Sequence, residues 1–183
     1  MRQLTHILPV CGASLGGLTH IRVYPAENVL SIPAPVLGII SSPVVLRDPE
    51  NYCDIFFPVG EGSMDEAQAD DEHGEYFKPK ISCFIPKDTP EFYDASIALT
   101  GMKCICICQD ANGLAKLVGT PDYPLRFKLS TGTGKRSQDK SGLEFEFYGV
   151  PPERAPFYLS MNFIAPAIRK VFSSGFTFGF RRK

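Results

Sequence analysis

Hydrophobic and polar residues alternate with a period of two in short blocks along most of this chain, and Gly and Pro, 16 of each, separate the blocks. Such alternation sends every second side chain of an extended segment to one face and predicts antiparallel β structure. The strongest block is Lys103-Cys104-Ile105-Cys106-Ile107-Cys108-Gln109, with three cysteines on one face and two isoleucines on the other. Such a strand should be buried on both sides. Asp110-Ala111-Asn112-Gly113 follows, and Asn-Gly supplies the positive φ angles of a tight turn, so residues 114–118 should return as the second strand of a hairpin. In a second pair, Leu125, Phe127 and Leu129 alternate with Arg126 and Lys128, and Leu143, Phe145 and Phe147 alternate with Glu144, Glu146 and Tyr148. Pairing these two sets a cationic face against an anionic one. The polar, Gly-rich connection over residues 131–142 reads as a projecting loop.

The same signals predict strands over residues 18–24, 44–47, 52–59, 80–85 and 176–180. One helix is well marked: Thr89 can cap it, Pro90 suits its first position, Phe92, Ala95 and Leu99 recur at helical spacing, and Gly101 suits its end. A shorter one over residues 163–171 is weakened by Pro166. The apolar stretch 29–46 is interrupted by Pro33, Pro35 and Pro43 and reads as extended strands or an arm. The fold class expected is mainly β, an antiparallel β-sandwich or barrel with one short helix and long loops. At 183 residues the chain suits one domain, 1–183, with an extended N-terminal segment over about residues 1–50 and an acidic loop over 59–76. No run reaches the roughly 18 apolar residues of a membrane helix. Residues 1–6 lack the apolar core and small-residue site of a signal peptide, so the chain is expected to stay in the cytosol with its six cysteines reduced.

Charge changes the picture. Glu61, Asp65, Glu66, Asp70, Asp71, Glu72 and Glu75 fall in one stretch without a Lys or Arg, although the whole chain has a net charge of only −1. Such a run reads as an exposed loop whose role is assembly or electrostatics, with Asp65, Glu66, Asp70, Asp71 and Glu72 as the assembly residues. Lys135, Arg136 and Lys140 form a basic loop that could touch a phosphate backbone, and Arg181, Arg182 and Lys183 end the chain in solvent.

Other candidate chemistry is outweighed by simpler readings. Cys104, Cys106 and Cys108 could suggest zinc, but same-face positions on a strand stand roughly 6.5 to 7 Å apart, too far for a compact tetrahedral site. Core packing explains them better. His73 among acidic residues lacks the ligand spacing of a calcium loop. Gly132-Thr133-Gly134-Lys135 lacks the first Gly and the final Ser or Thr of a phosphate-binding loop. Glu144 and Glu146 should pair with Arg126 and Lys128, and His6 and His20 lie in no catalytic motif. No cofactor, metal or catalytic residue is expected.

Ile85-Pro86-Lys87-Asp88-Thr89-Pro90, Asp110-Ala111-Asn112-Gly113, Gly119-Thr120-Pro121-Asp122-Tyr123-Pro124-Leu125-Arg126-Phe127 and Phe145-Glu146-Phe147-Tyr148-Gly149 together resemble a pattern of small structural proteins of tailed bacteriophages and prophages. The resemblance implies a virion tail component, whether tube, terminator or connector. It further implies a non-enzymatic β-sandwich subunit, made in the host cytoplasm, that joins copies of itself into rings beside other virion proteins, with DNA passing through a lumen without specific binding. The alternatives are a nucleic-acid-binding β domain using the basic loop and tail and, more distantly, a hydrolase with Cys or His chemistry.

Overall fold

A computed structural model describes residues 14–72, 74–134 and 140–160. In chain order the elements are β1 (Leu18–Pro25), β2 (Val29–Ser31), β3 (Ile39–Ile40), β4 (Val45–Leu46), β5 (Cys53–Phe56), β6 (Gly62–Asp71), β7 (Gly74–Pro86), α1 (Pro90–Leu99), β8 (Lys103–Asp110), β9 (Ala115–Val118), β10 (Leu125–Gly132), β11 (Gly142–Tyr148) and β12 (Phe157–Tyr158). The fold is mainly β, as the alternation predicts. The strands foreseen over 18–24 and 80–85 extend to β1 and β7, whereas those over 44–47 and 52–59 shrink to β4 and β5. Residues 163–171 and 176–180 lie outside the described residues.

β8 is the centre. Its cysteine and isoleucine faces are both buried, because β1 pairs along one edge, with Ile21 opposite Cys108 and Val23 opposite Cys106, while β9 and the start of β10 share the other. β5 lies beyond β1, and β10 leads on through β11 and β7 to β6. On the cysteine face, Ile21, Val23, Cys106 and Cys108 pack with Ile81, Phe145 and Phe147 in one core, so the β10-β11-β7 section lies over the β1-β8 section as the second layer of a sandwich. Full burial of each such Ile or Phe side chain stabilises by roughly 1.5 to 3 kcal/mol. On the isoleucine face, Ile105 and Ile107 meet Tyr24, Val29, Ile40, Leu117 and Tyr158, so the Pro-interrupted stretch after β1 is an extended cover for the sheet. Within the segment expected to be extended, β1 is built into the sheet at the strand foreseen over 18–24. β12 and β3 pair in parallel, which departs from a purely antiparallel sheet. The ends of the sheet path, β3 and β6, do not pair with each other among the described residues, so no barrel closes.

Local chemistry explains two departures from expectation. In the β8–β9 turn only Gly113 has positive φ, 82°, and Asn112 does not. Asp110 shapes the turn by accepting the Asn112 and Leu114 N–H groups at 2.9 and 2.8 Å, giving a three-residue loop with Gly at its left-handed position. The helix begins and ends as predicted, with Gly101 at φ 77°, but the Thr89 hydroxyl makes no capping bond. Its buried face is Ser96 and Leu99 with Phe92 half-buried, while Ala95 is exposed.

Candidate assembly surface

The acidic stretch is not a loop. Gly62–Asp71 and Gly74–Pro86 pair in unbroken antiparallel register, Asp65 opposite Lys80, Gln68 opposite Phe77, Asp70 opposite Glu75 and Asp71 opposite Gly74. The charges did not prevent a strand because the period-two burial of Gly62, Met64 and Glu66 anchors it, and β7 behind it carries the apolar alternation Ile81, Cys83, Ile85. β11 covers β7 only from Lys80 to Pro86. Residues 66–71 and 74–79 therefore continue past β11 as a two-stranded ribbon, held to the rest of the fold at its base by Glu66 and, on β7, where the Phe77 N–H donates to the Pro151 carbonyl at 2.9 Å. Asp65, Asp70, Asp71, Glu72 and Glu75 are exposed on it. Asp70 facing Glu75 sets like charges directly across the ladder, an arrangement that destabilises an isolated hairpin and favours an incoming cation.

Glu66 is different from its acidic neighbours. Its side chain is only 8% exposed and accepts the Ala155 N–H at 2.7 Å, with Arg154 Nε at 3.4 Å and Lys116 Nζ at 3.8 Å. It is therefore an internal anchor that ties the segment before β12 to β6, and the sequence reading of Glu66 as an assembly residue is corrected on that ground.

No family model, curated protein or solved structure matches the chain. The surface is consequently read from its own geometry.

The basic loop is only partly described. Lys135 and Arg136 lie outside the described residues, as do His6, His73, Cys11 and Arg181, Arg182 and Lys183. Lys140 is described, and its ammonium holds both carboxylate oxygens of Glu61 at 2.8 Å while lying 5.3 Å from the Phe84 ring centre. Its charge is matched within the chain. Across β10 and β11, Lys128 stands opposite Glu146, yet the Glu146 carboxylate takes Lys80 of β7 at 3.2 Å; Arg126 stands opposite Tyr148 and Glu144 opposite Ser130. The expected pairing is thus realised in register for Lys128 alone.

Cys53, Cys83, Cys104, Cys106 and Cys108 converge on one core. Burial raises the thiols, Cys104 to about 11 and Cys83 to about 12, with Cys106 and Cys108 well above the ordinary range. They are packed as neutral S–H groups. Among the described residues no group of three or more His, Cys, Asp or Glu side chains has metal-holding geometry.

A polar cluster that the sequence reading missed joins β1 to β5. Arg22 Nε and Nη2 donate to the two oxygens of Asp54 at 2.6 and 2.8 Å, and the guanidinium lies 4.3 Å from the Tyr52 ring centre. His20, two residues along β1, places Nε2 3.2 Å from Asp54 Oδ1 and stacks on Phe56 at 4.7 Å. Asp54 is bound by a bidentate fork, so the cluster reads as a strand clasp. The available signal was a charge of each sign, Arg22 and Asp54, inside two largely apolar predicted strands.

Proposed function

We propose that this chain is a structural, non-enzymatic subunit of a tailed-phage virion, of the tail, that assembles with copies of itself into rings through sheet edges. The observation that carries the reading is the edge strand β6. It is ten residues long, pairs only with β7 among the described residues, and continues into an acidic ribbon past β11. Long open edges are templates for strand addition unless guarded, and the exposed carboxylates guard this one against indiscriminate pairing. A surface of one sign that needs a partner of the other fits head-to-tail contact. An acidic face turned to a lumen would also let DNA pass, since phosphate affinity comes from Lys and Arg. The resemblance of the turn and strand motifs to tail proteins supplies the virion context.

Light scattering across a concentration series, followed by negative-stain microscopy, tests the reading. Discrete rings or tubes are expected. A monomer at every concentration and salt condition overturns it, and a salt-dependent shift of a labelled oligonucleotide would instead favour nucleic-acid binding.

A further inference from the structure

Two pairs of like charges stand directly across a ladder in this fold, and the pairs are of opposite sign. Asp70 faces Glu75 on the ribbon, and Lys103 at the start of β8 faces Arg126 at the start of β10. All four residues are exposed, and none has an ion-pair partner among the described residues. Directly opposed like charges destabilise each pair in an isolated subunit. The two pairs cannot relieve each other within one chain. Glu75 is five residues from Lys80, which registers with Tyr148 and through it with Arg126, so at about 3.3 Å per residue and 4.8 Å per strand Glu75 and Arg126 stand about 20 Å apart. The odd count also turns Glu75 to the opposite face of the sheet from Lys80, Tyr148 and Arg126.

The cationic pair has the surroundings of a carboxylate seat. Lys103, Arg126, Tyr148 and Lys80 form one row across four strands, and a recess of about 310 Å³ opens beside Arg126 between Tyr123, Pro124, Tyr148 and Val150. Both tyrosines are exposed, so their O–H groups can donate beside the guanidinium fork, and Tyr with Arg is the combination that anchors interfaces. The carboxylates of this face gather at the other end of the row, where Glu146 holds Lys80 at 3.2 Å and Asp65 stands opposite Lys80. The Arg126 end keeps its charge. We infer that the ribbon of one copy docks by Asp70 and Glu75 onto Lys103 and Arg126 of a second copy. Directly opposed residues in both pairs have Cβ atoms about 4.5 to 5.5 Å apart, so the two carboxylates meet the two cations one to one.

Reach permits the contact. Residues 74–79 carry the ribbon past the end of β11 by about 20 Å, whereas the row from Lys103 to Lys80 crosses about 14 Å of sheet. The ribbon can leave its own subunit and lie along the row of the next. Each copy offers one ribbon and one row at different places on its surface, so the contact is head-to-tail and repeats around a closed ring. In the ring neither like-charge pair is left uncompensated.

This inference rests on the assembly reading and is tested separately from it. One variant, D70K/E75K, reverses the ribbon; the other, K103E/R126E, reverses the row. Each alone should raise the concentration for half-assembly by roughly tenfold or more at low ionic strength, since like charges then meet across the contact, with the penalty shrinking at 1 M salt, where the Debye length is about 3 Å. A chain carrying all four substitutions should assemble again, because its reversed ribbon meets a reversed row. Circular dichroism and thermal unfolding of each variant check the fold. Wild-type protein that never assembles overturns both proposals. Wild-type assembly with double variants that assemble equally well, or a folded fourfold variant that stays dissociated, overturns this one alone and leaves ring formation to another contact. A labelled single-stranded oligonucleotide that binds the wild type and is lost in K103E/R126E would give the row to nucleic acid and likewise overturn it.

Discussion

The carboxylate of Glu66 and the backbone N–H of Ala155, 89 residues apart in the chain, are joined by a 2.7 Å hydrogen bond that fixes the approach to β12 against β6. Replacing Glu66 by Ala leaves that N–H without its acceptor and removes the anion facing Arg154 and Lys116. Glu66→Ala should cost about 1 to 3 kcal/mol in urea unfolding, while Glu66→Gln, which keeps an acceptor oxygen, should cost less. Equal losses for both would assign the effect to charge alone.

Burial of the core thiols sets a second outcome. At pH 8, Cys83, Cys104, Cys106 and Cys108 should resist a disulfide reagent in the native protein, and the half-buried Cys53 should react before them. A group whose folded pKa is raised contributes stability that is present below its unfolded value and is lost as pH rises through the folded one. From the ordinary 9.0 to about 11 for Cys104 and about 12 for Cys83, stability should therefore fall between pH 9 and 12. Cys106→Ser should destabilise by roughly 1 to 3 kcal/mol, by burying a hydroxyl in an apolar site, and release no zinc on elemental analysis.

His20 titrates in the opposite sense. Burial is the largest influence and outweighs the Asp54 carboxylate, so its pKa lies below 6.5. A depressed folded pKa gives stability that is present above 6.5 and is lost as pH falls through the folded value. Proton NMR of the imidazole should give a midpoint below 6.5, and His20→Phe should remove that part of the acid-side loss.

Leu37 sits in the left-handed region at φ 53° with its side chain 97% exposed, so it carries backbone strain without gaining burial. Leu37→Asn should be neutral or stabilising by about 0.5 to 1 kcal/mol in thermal unfolding. A loss of stability would show that the exposed leucine is covered in the protein's working state.

Legibility followed local pattern. The Cys/Ile alternation of β8 and the Pro90 to Gly101 helix could be read because side-chain period, turn chemistry and end signals agree there. β6 was missed because carboxylates suppress the strand signal, and only its register with β7 shows that Glu66 faces inward while Asp65 faces out. The Arg22–Asp54 clasp and the Glu66–Ala155 bond depend on which strands become neighbours, 32 and 89 residues apart, and no local window contains both partners. Lys140 illustrates the same limit, since its acceptor Glu61 lies 79 residues away.

The central position of β8 also dictates timing. β1 is made early, yet its main neighbour is β8, and the Thr19 and Gln109 that meet there are 90 residues apart. At ribosomal speeds of about 5 to 20 residues per second, β1 waits roughly 5 to 20 seconds for its partner. Through that interval Ile21 and Val23, fully covered in the finished protein, are exposed to solvent or to whatever holds nascent chains. Arrested chains that end before Lys103 should be digested throughout by added protease, whereas chains with β9 clear of the ribosome should protect β1. The strand that unites both cores is thus also the event that ends the chain's most aggregation-prone period.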